Sequence, residues 1–349
     1  MQTKTAAIAE IQEQMREKLK GLVPEIEFKY KAELIYEIRE LKREKNAVIL
    51  GHNYMEPALF HFAPDYAGDS LELSRKAAST EKDIIVFCGV KFMAETAKIL
   101  SPDKKVLLPS KKGGCSLAES ITAQDVRDLK KRYPGVPVVT YINTYADVKA
   151  ESDICCTSGN AVAVAESLDT DTIIFLPDEY LAGNVARETG KHIIFPTRKQ
   201  TSADSTDIDY QLIGWRGRCE VHDKFQVSDI ESVRKQFPEV VILAHPECSP
   251  DVVAASDFSS STSKMIQHVE EIEAPNYLLL TECAMGDNIA AAHPEKEMLR
   301  MCNIRCPHMN EINLKELRDA LKFEQYEIDV PRDIAIKAER AVRRMVETG

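Results

Sequence analysis

A long-period repeat constrains this 349-residue chain more than any other feature. Three aliphatic runs end in polar groups: AVILGHNY reaches His52, VVTYINTY reaches Tyr141 and VVILAHPE reaches His245. Each is followed by an aspartate and, five positions on, a small hydroxyl residue: Asp65 and Ser70, Asp153 and Ser158, Asp257 and Thr262. The steps His52→Ser70, Tyr141→Ser158 and His245→Thr262 are 18, 17 and 17 residues. Another 17 residues lead to Phe87, Phe175 and Leu279, and cysteines follow after 28, 44 and 27, at Cys115, Cys219 and Cys306. Both Cys115→Tyr141 and Cys219→His245 measure 26. Three homologous units with a period of about 88 residues account for these coincidences. The second unit is longer by about 16 residues, which we place in a surface loop at 197–212.

Short β-branched runs without polar alternation, at 48–50, 84–87, 106–108, 138–140, 173–175, 193–195, 240–243 and 277–280, suit strands covered on both faces. Helical patterns separate them, so the expected fold class is α/β, with parallel sheets in three αβα sandwich domains. The expected divisions are 1–116 plus 308–349, 117–218, and 219–307. The segment 313–321 repeats the helix pattern that follows Cys115 and Cys219, and is expected to fold back onto the N-terminal unit. A formal charge of −11 argues against a nucleic-acid partner, and no apolar run approaches a membrane span. The N-terminus reads as a charged helix without the apolar stretch of a secretory signal, so a cytoplasmic location is expected. Nine cysteines in that setting do not make a disulfide framework.

The repeat sorts those cysteines. Cys115, Cys219 and Cys306 occupy equivalent places and the other six do not. Sites in open α/β sheets form beyond the carboxyl ends of the strands. Three such units facing one axis would bring three thiols, three polar strand ends and three helix starts to one cavity. Three thiolates without local CxxC spacing suit zinc or an iron–sulfur cluster joining the units. The alternative is that they are small buried hydrophobes.

The segments GHNYMEP, YAGDSLEL, GGCSLAES, TYINTYADVKA, CCTSGNA, FLPDEYLAGNVA, GWRGRCEVHDKF, AHPEC, SSTSKMI and CPHMN resemble those of the quinolinate synthase family, iron–sulfur enzymes of NAD biosynthesis, from about residue 45 to 320. The resemblance implies condensation of iminoaspartate with dihydroxyacetone phosphate to quinolinate, with loss of phosphate and two waters. It implies three αβα domains in a pseudo-threefold arrangement around a central [4Fe–4S] cluster with one open iron acting as Lewis acid. An L-aspartate oxidase or aspartate dehydrogenase is the implied source of iminoaspartate. The implied cluster ligands are Cys115, Cys219 and Cys306, with Cys302 a bystander. His52 and Tyr54 match a substrate-binding pair, and Tyr141 and Asn143 are their counterparts in the second unit. In that reading Tyr141 donates a proton or hydrogen bond and Asn143 takes carboxylate or carbonyl groups. Glu247 is the expected base, His245 orients substrate, and His222 lies near the cluster. Ser70, Ser158 and Thr262 are expected at helix starts, as caps, as anion-binding groups, or as both. Ser261 and Thr262 match a phosphate-contacting pair, and Lys264 would add positive charge there. Two other readings share the thiols: a hydro-lyase acting at an open iron, and a non-enzymatic iron–sulfur sensor or structural metal protein.

Overall fold

The computed structural model describes residues 4–196, 211–301 and 304–348. Its strands are β1 (Ala47–His52), β2 (Tyr66–Gly68), β3 (Ile84–Cys88), β4 (Lys105–Leu107), β5 (Val138–Tyr141), β6 (Ile154–Cys156), β7 (Ile173–Leu176), β8 (Ile193–Ile194), β9 (Leu212–Gly214), β10 (Val241–Ala244), β11 (Phe258–Ser259), β12 (Tyr277–Leu280) and β13 (Met298–Leu299). They form three all-parallel sheets, ordered β2-β1-β3-β4, β6-β5-β7-β9-β8 and β11-β10-β12-β13. The first and third sheets use their second, first, third and fourth strands in that spatial order; the second uses its second, first, third and fifth, with its fourth, β8, at the edge. The fold is therefore α/β with three parallel-sheet units, as the spacing predicts.

Register carries the repeat to single residues. Leu50 pairs with Phe87, Val139 with Phe175 and Leu243 with Leu279, so the three residues marked by spacing hold one equivalent position. The repeated aspartates also receive an account. Asp65 Oδ2 accepts from the Ile49 N–H at 2.9 Å while its own N–H donates to the Ile49 carbonyl at 2.9 Å. Asp153 does the same with Val138 at 2.8 and 3.0 Å, and Asp257 with Ile242 at 2.8 and 2.8 Å. Each aspartate thus locks the start of a two- or three-residue edge strand to its neighbour. These short strands have no periodicity of their own to detect.

Helices pack in pairs on the first sheet: Phe28–Glu44 with Leu314–Phe323, and Ser70–Ser79 with Lys91–Leu100. The helix Leu314–Phe323, which follows Cys306, thus lies against the helix that precedes β1. The last helix, Arg332–Glu347, touches two units. Its buried stripe Ala338, Ala341, Val342 and Met345, at steps of three and four, packs against β6 and the helix Ala146–Ala150 of the second unit as well as Lys91–Leu100 of the first. One continuous apolar core consequently spans both units, while the third unit keeps separate cores around Ile242 and Leu279.

Leu212, expected at the end of a surface loop, instead begins β9, which pairs with β7 and β8. Residues 197–210 of that insertion, and Cys302, lie outside the described residues.

Candidate active site

The polar strand ends converge. His52 closes β1, Tyr141 closes β5 and His245 follows β10, each only 4% exposed. Two residues further on stand Tyr54, Asn143 and Glu247. The backbone N–H of Tyr54 donates to His52 Nδ1 at 3.2 Å, and that of Glu247 donates to His245 Nδ1 at 3.3 Å. This repeated turn assigns the acceptor role to Nδ1, so each neutral ring carries its hydrogen on Nε2. Burial lowers the pKa of His52 to about 4 against a partial rise from Glu247. Burial, with His222 beside it, lowers that of His245 to about 3. Both rings are neutral hydrogen-bond donors at pH 7.

Glu247 collects three donors in a buried position. Oε1 accepts from the Tyr141 phenol and from Asn143 Nδ2 at 3.0 Å, and Oε2 lies 2.7 Å from His222 Nδ1. Burial pushes this carboxyl up, but His222, His245 and the Tyr141 hydrogen bond outweigh it and hold the group below the usual range, ionised. The chain continues: His222 Nε2 is 3.0 Å from Thr281 Oγ1, which is 2.6 Å from the Tyr54 phenol. His222 also stacks on His245, with ring centroids 4.6 Å apart. A proton acceptor is thereby wired to hydroxyls from all three units.

The thiols share one local geometry. Cys115, Cys219 and Cys306 each precede a helical turn, at Ser116–Glu119, His222–Lys224 and Met309–Glu311. Backbone N–H groups two and three residues ahead face each sulfur: Leu117 and Ala118, Val221 and His222, His308 and Met309. Such N–H groups favour thiolate. Burial nevertheless dominates, pushing Cys115 up to about 12, Cys306 up to about 11 and Cys219 also upward. Three half-buried sulfurs with N–H donors facing them thus form a set that would ionise around a cation, which is the chemistry a metal or cluster supplies. Gly217 brings the Cys219 loop close to the second unit: its N–H donates to the Pro177 carbonyl at 2.9 Å, and a Cβ there would lie 2.5 Å from that oxygen. A second donor set overlaps the first, since the ligand atoms of Cys219, His222 and Glu247 lie within 4.8 Å of one another.

One cavity is lined by His52, Tyr54, Ser70, Cys115, Tyr141, Asn143, Ser158, Cys219, His222, His245, Glu247, Thr262 and Cys306. The three helix starts also meet. The Asp69 N–H donates to Ser263 Oγ at 3.2 Å, and a Cβ on Gly159 would lie 3.2 Å from that of Ser261. None of the expected hydroxyls caps its helix through its side chain. Asp69 caps Ser70–Ser79, while Asn160 and Ser261, the residues before the other two helices, make no side-chain cap bond. The first-turn N–H groups near Ser158 and Thr262 are left free of side-chain caps. Ser261 is buried against Gly159 and does not line the cavity, and Lys264 is exposed in an adjoining cleft that shares Ser158 with it. Thr281, Glu282 and Asn53 escape the sequence reading. Thr281 follows β12 by one residue, a strand-end position of the same kind as His52. Glu282 lines the cavity, and its carboxyl is pushed up to about 7 by burial. Asn53 donates to Thr262 Oγ1 at 2.9 Å.

Three parallel-sheet units bring buried donors, an ionised carboxylate and three thiols around one cavity, the arrangement of a three-unit α/β enzyme. The family model described as NadA, quinolinate synthetase A protein, matches residues 36–347. The chain is 52% identical over 330 residues to quinolinate synthase 2 of Mesorhizobium japonicum, covering 95% of this chain and 96% of that protein. It is 48% identical over 342 residues to the quinolinate synthase of Sinorhizobium medicae, covering 98% and 90%. With that of Xylella fastidiosa it shares 52% over 309 residues, covering 88% and 85%. The chain belongs to the quinolinate synthase family. No helix among the described residues is long and apolar enough to cross a membrane.

Proposed function

We propose that this chain condenses iminoaspartate with dihydroxyacetone phosphate to quinolinate, releasing phosphate and two waters. Atoms balance without any net oxidation, so no electron carrier is required. The observation that carries the reading is the single cavity in which an ionised, triply hydrogen-bonded Glu247 meets three equivalent thiols and three helix starts.

Cys115, Cys219 and Cys306 are the residues that would hold a [4Fe–4S] cluster; held by three thiolates, it supplies a Lewis acid at an iron left open to substrate. The chain's own groups do the rest. Free N–H groups near Ser158 and Thr262, with the hydroxyls of Ser70, Ser158 and Thr262, bind the phosphate and carboxylates. The neutral rings of His52 and His245 donate from Nε2 to carbonyl or carboxylate oxygens. Glu247 accepts the protons that enolisation and dehydration release, and Tyr141 and Tyr54 return them to leaving hydroxyls. Asn143 aligns Glu247 and offers its amide to substrate. Ser261 supports this wall from behind by holding the helix start against Gly159. Iminoaspartate hydrolyses readily in water, so an enzyme that oxidises aspartate must supply it nearby.

The test is anaerobic purification with iron and sulfide analysis and an assay for pyridine-2,3-dicarboxylate from both substrates. About four irons per chain, lost when Cys115, Cys219 or Cys306 becomes Ser but kept in Cys302→Ser, is the expected result. A stable zinc-only protein, or one that forms no product with its cluster complete, overturns the reading.

A further inference from the structure

Two buried asparagines hold the loops that carry Tyr54 and Glu247, and nothing in the chemistry above uses them. Asn184 is the sixth residue of the helix Glu179–Thr189, and Asn288 the sixth of Cys283–Ala292. Each is 2% exposed. Asn184 Nδ2 donates to the carbonyls of Pro246 and Cys248 at 2.9 and 3.0 Å. Asn288 Nδ2 donates to those of Asn53 and Met55 at 3.1 and 2.9 Å. Counted from His245 and His52, the two acceptors are in both cases the first and third residues of the loop. One side-chain amide therefore straddles Glu247, and the other straddles Tyr54.

The contacts close a cycle. A helix of the second unit holds the third unit's loop, and a helix of the third holds the first unit's loop. From the first unit, Glu95 Oε2 accepts from the Ala146 N–H at 2.9 Å, beyond Tyr141 and Asn143. In both asparagines Oδ1 is buried without a hydrogen-bond partner. Rotating either amide would set that oxygen against two carbonyls, so the observed orientation is the one the loops require. A residue kept only to fill space would not need two donors and an unsatisfied acceptor.

We propose that Asn184 and Asn288 are positioning residues for the reaction: Asn184 sets Glu247 and Asn288 sets Tyr54, each from the neighbouring unit. This assignment rests on the functional reading above.

Four variants test it: Asn184→Ala, Asn288→Ala, and the serine versions, which keep one donor should the alanine proteins fail to fold. Each is combined with Tyr54→Phe and with Glu247→Asp, and turnover is measured per loaded cluster alongside thermal unfolding. Asn288→Ala is expected to lower kcat about 10- to 100-fold with KM little changed. Tyr54→Phe should then add less than about threefold on top, whereas Glu247→Asp multiplies in full. Asn184→Ala should give the converse, with the serine variants intermediate. Equal multiplication with both loop variants, unchanged turnover, or a loss that merely follows cluster content or unfolding overturns the proposal. A parent protein that makes no product overturns the functional reading instead, and this assignment with it.

Discussion

Replacing Glu247 by glutamine isolates the carboxylate's charge from its shape. In the parent, Oε1 takes the Tyr141 and Asn143 donors and Oε2 faces His222 Nδ1. A glutamine keeping its oxygen toward Tyr141 and Asn143 points its NH₂ at His222 Nδ1. That nitrogen then accepts, the ring hydrogen moves to Nε2, and Thr281 turns its hydroxyl toward Tyr54. Every hydrogen bond along the chain from Tyr141 to Tyr54 is kept, with its direction reversed from residue 247 through His222 to Tyr54. The volume is unchanged, so no cavity opens. What is lost is a base, worth about 10²- to 10⁴-fold in rate, or about 3–5 kcal/mol at 1.36 kcal/mol per decade. The expected result is a fall of that size in kcat with KM within about threefold, because the helix starts and both histidines are untouched. The assay is anaerobic formation of pyridine-2,3-dicarboxylate at matched iron content. Turnover within tenfold of the parent refutes the assignment of Glu247 as base. A drop in iron content would assign it to the cluster instead, since its oxygen lies within 4.8 Å of donor atoms of Cys219 and His222.

Two further outcomes follow from the geometry. Asp153→Ala leaves the Val138 N–H unpaired and should cost about 1–3 kcal/mol in denaturant unfolding; a change below about 0.5 kcal/mol would show that the edge strand does not depend on it. His52, with its pKa lowered by burial to about 4, is neutral when folded, so the unfolded chain binds the extra proton below about pH 6.5. Stability should therefore hold above that pH and decline towards pH 4, more steeply in the parent than in His52→Gln, as read from guanidinium midpoints across that range; parallel curves for the two proteins would contradict this.

The units were legible because each repeats its register: the spacing that leads to Phe87, Phe175 and Leu279 is the spacing of real strand pairs. The strand-end residues and thiols were legible for the same reason. The edge strands were not, since two or three residues such as Phe258–Ser259 are too few for a pattern. Leu212 closes a polar stretch and so reads as loop, whereas it begins β9, and Ile193–Ile194 forms the added edge. Asp69, rather than Ser70, takes the cap because its carboxylate reaches two N–H groups from the residue before the helix. Thr281, Asn184 and Asn288 act through hydrogen bonds between units, which leave no local signature in the chain.

The clamp from Asn288 to Asn53 and Met55 joins residues 235 and 233 positions apart. During synthesis the first sheet can form early, yet the loop bearing Tyr54 lacks its clamp from another unit until the helix Cys283–Ala292 has emerged. Cys306 comes later still, and the helix Arg332–Glu347 that joins the first two cores comes last. A nascent or truncated chain therefore presents strand ends and thiols without the ring that organises them. The lining of the cavity is therefore complete only once all three units are in place.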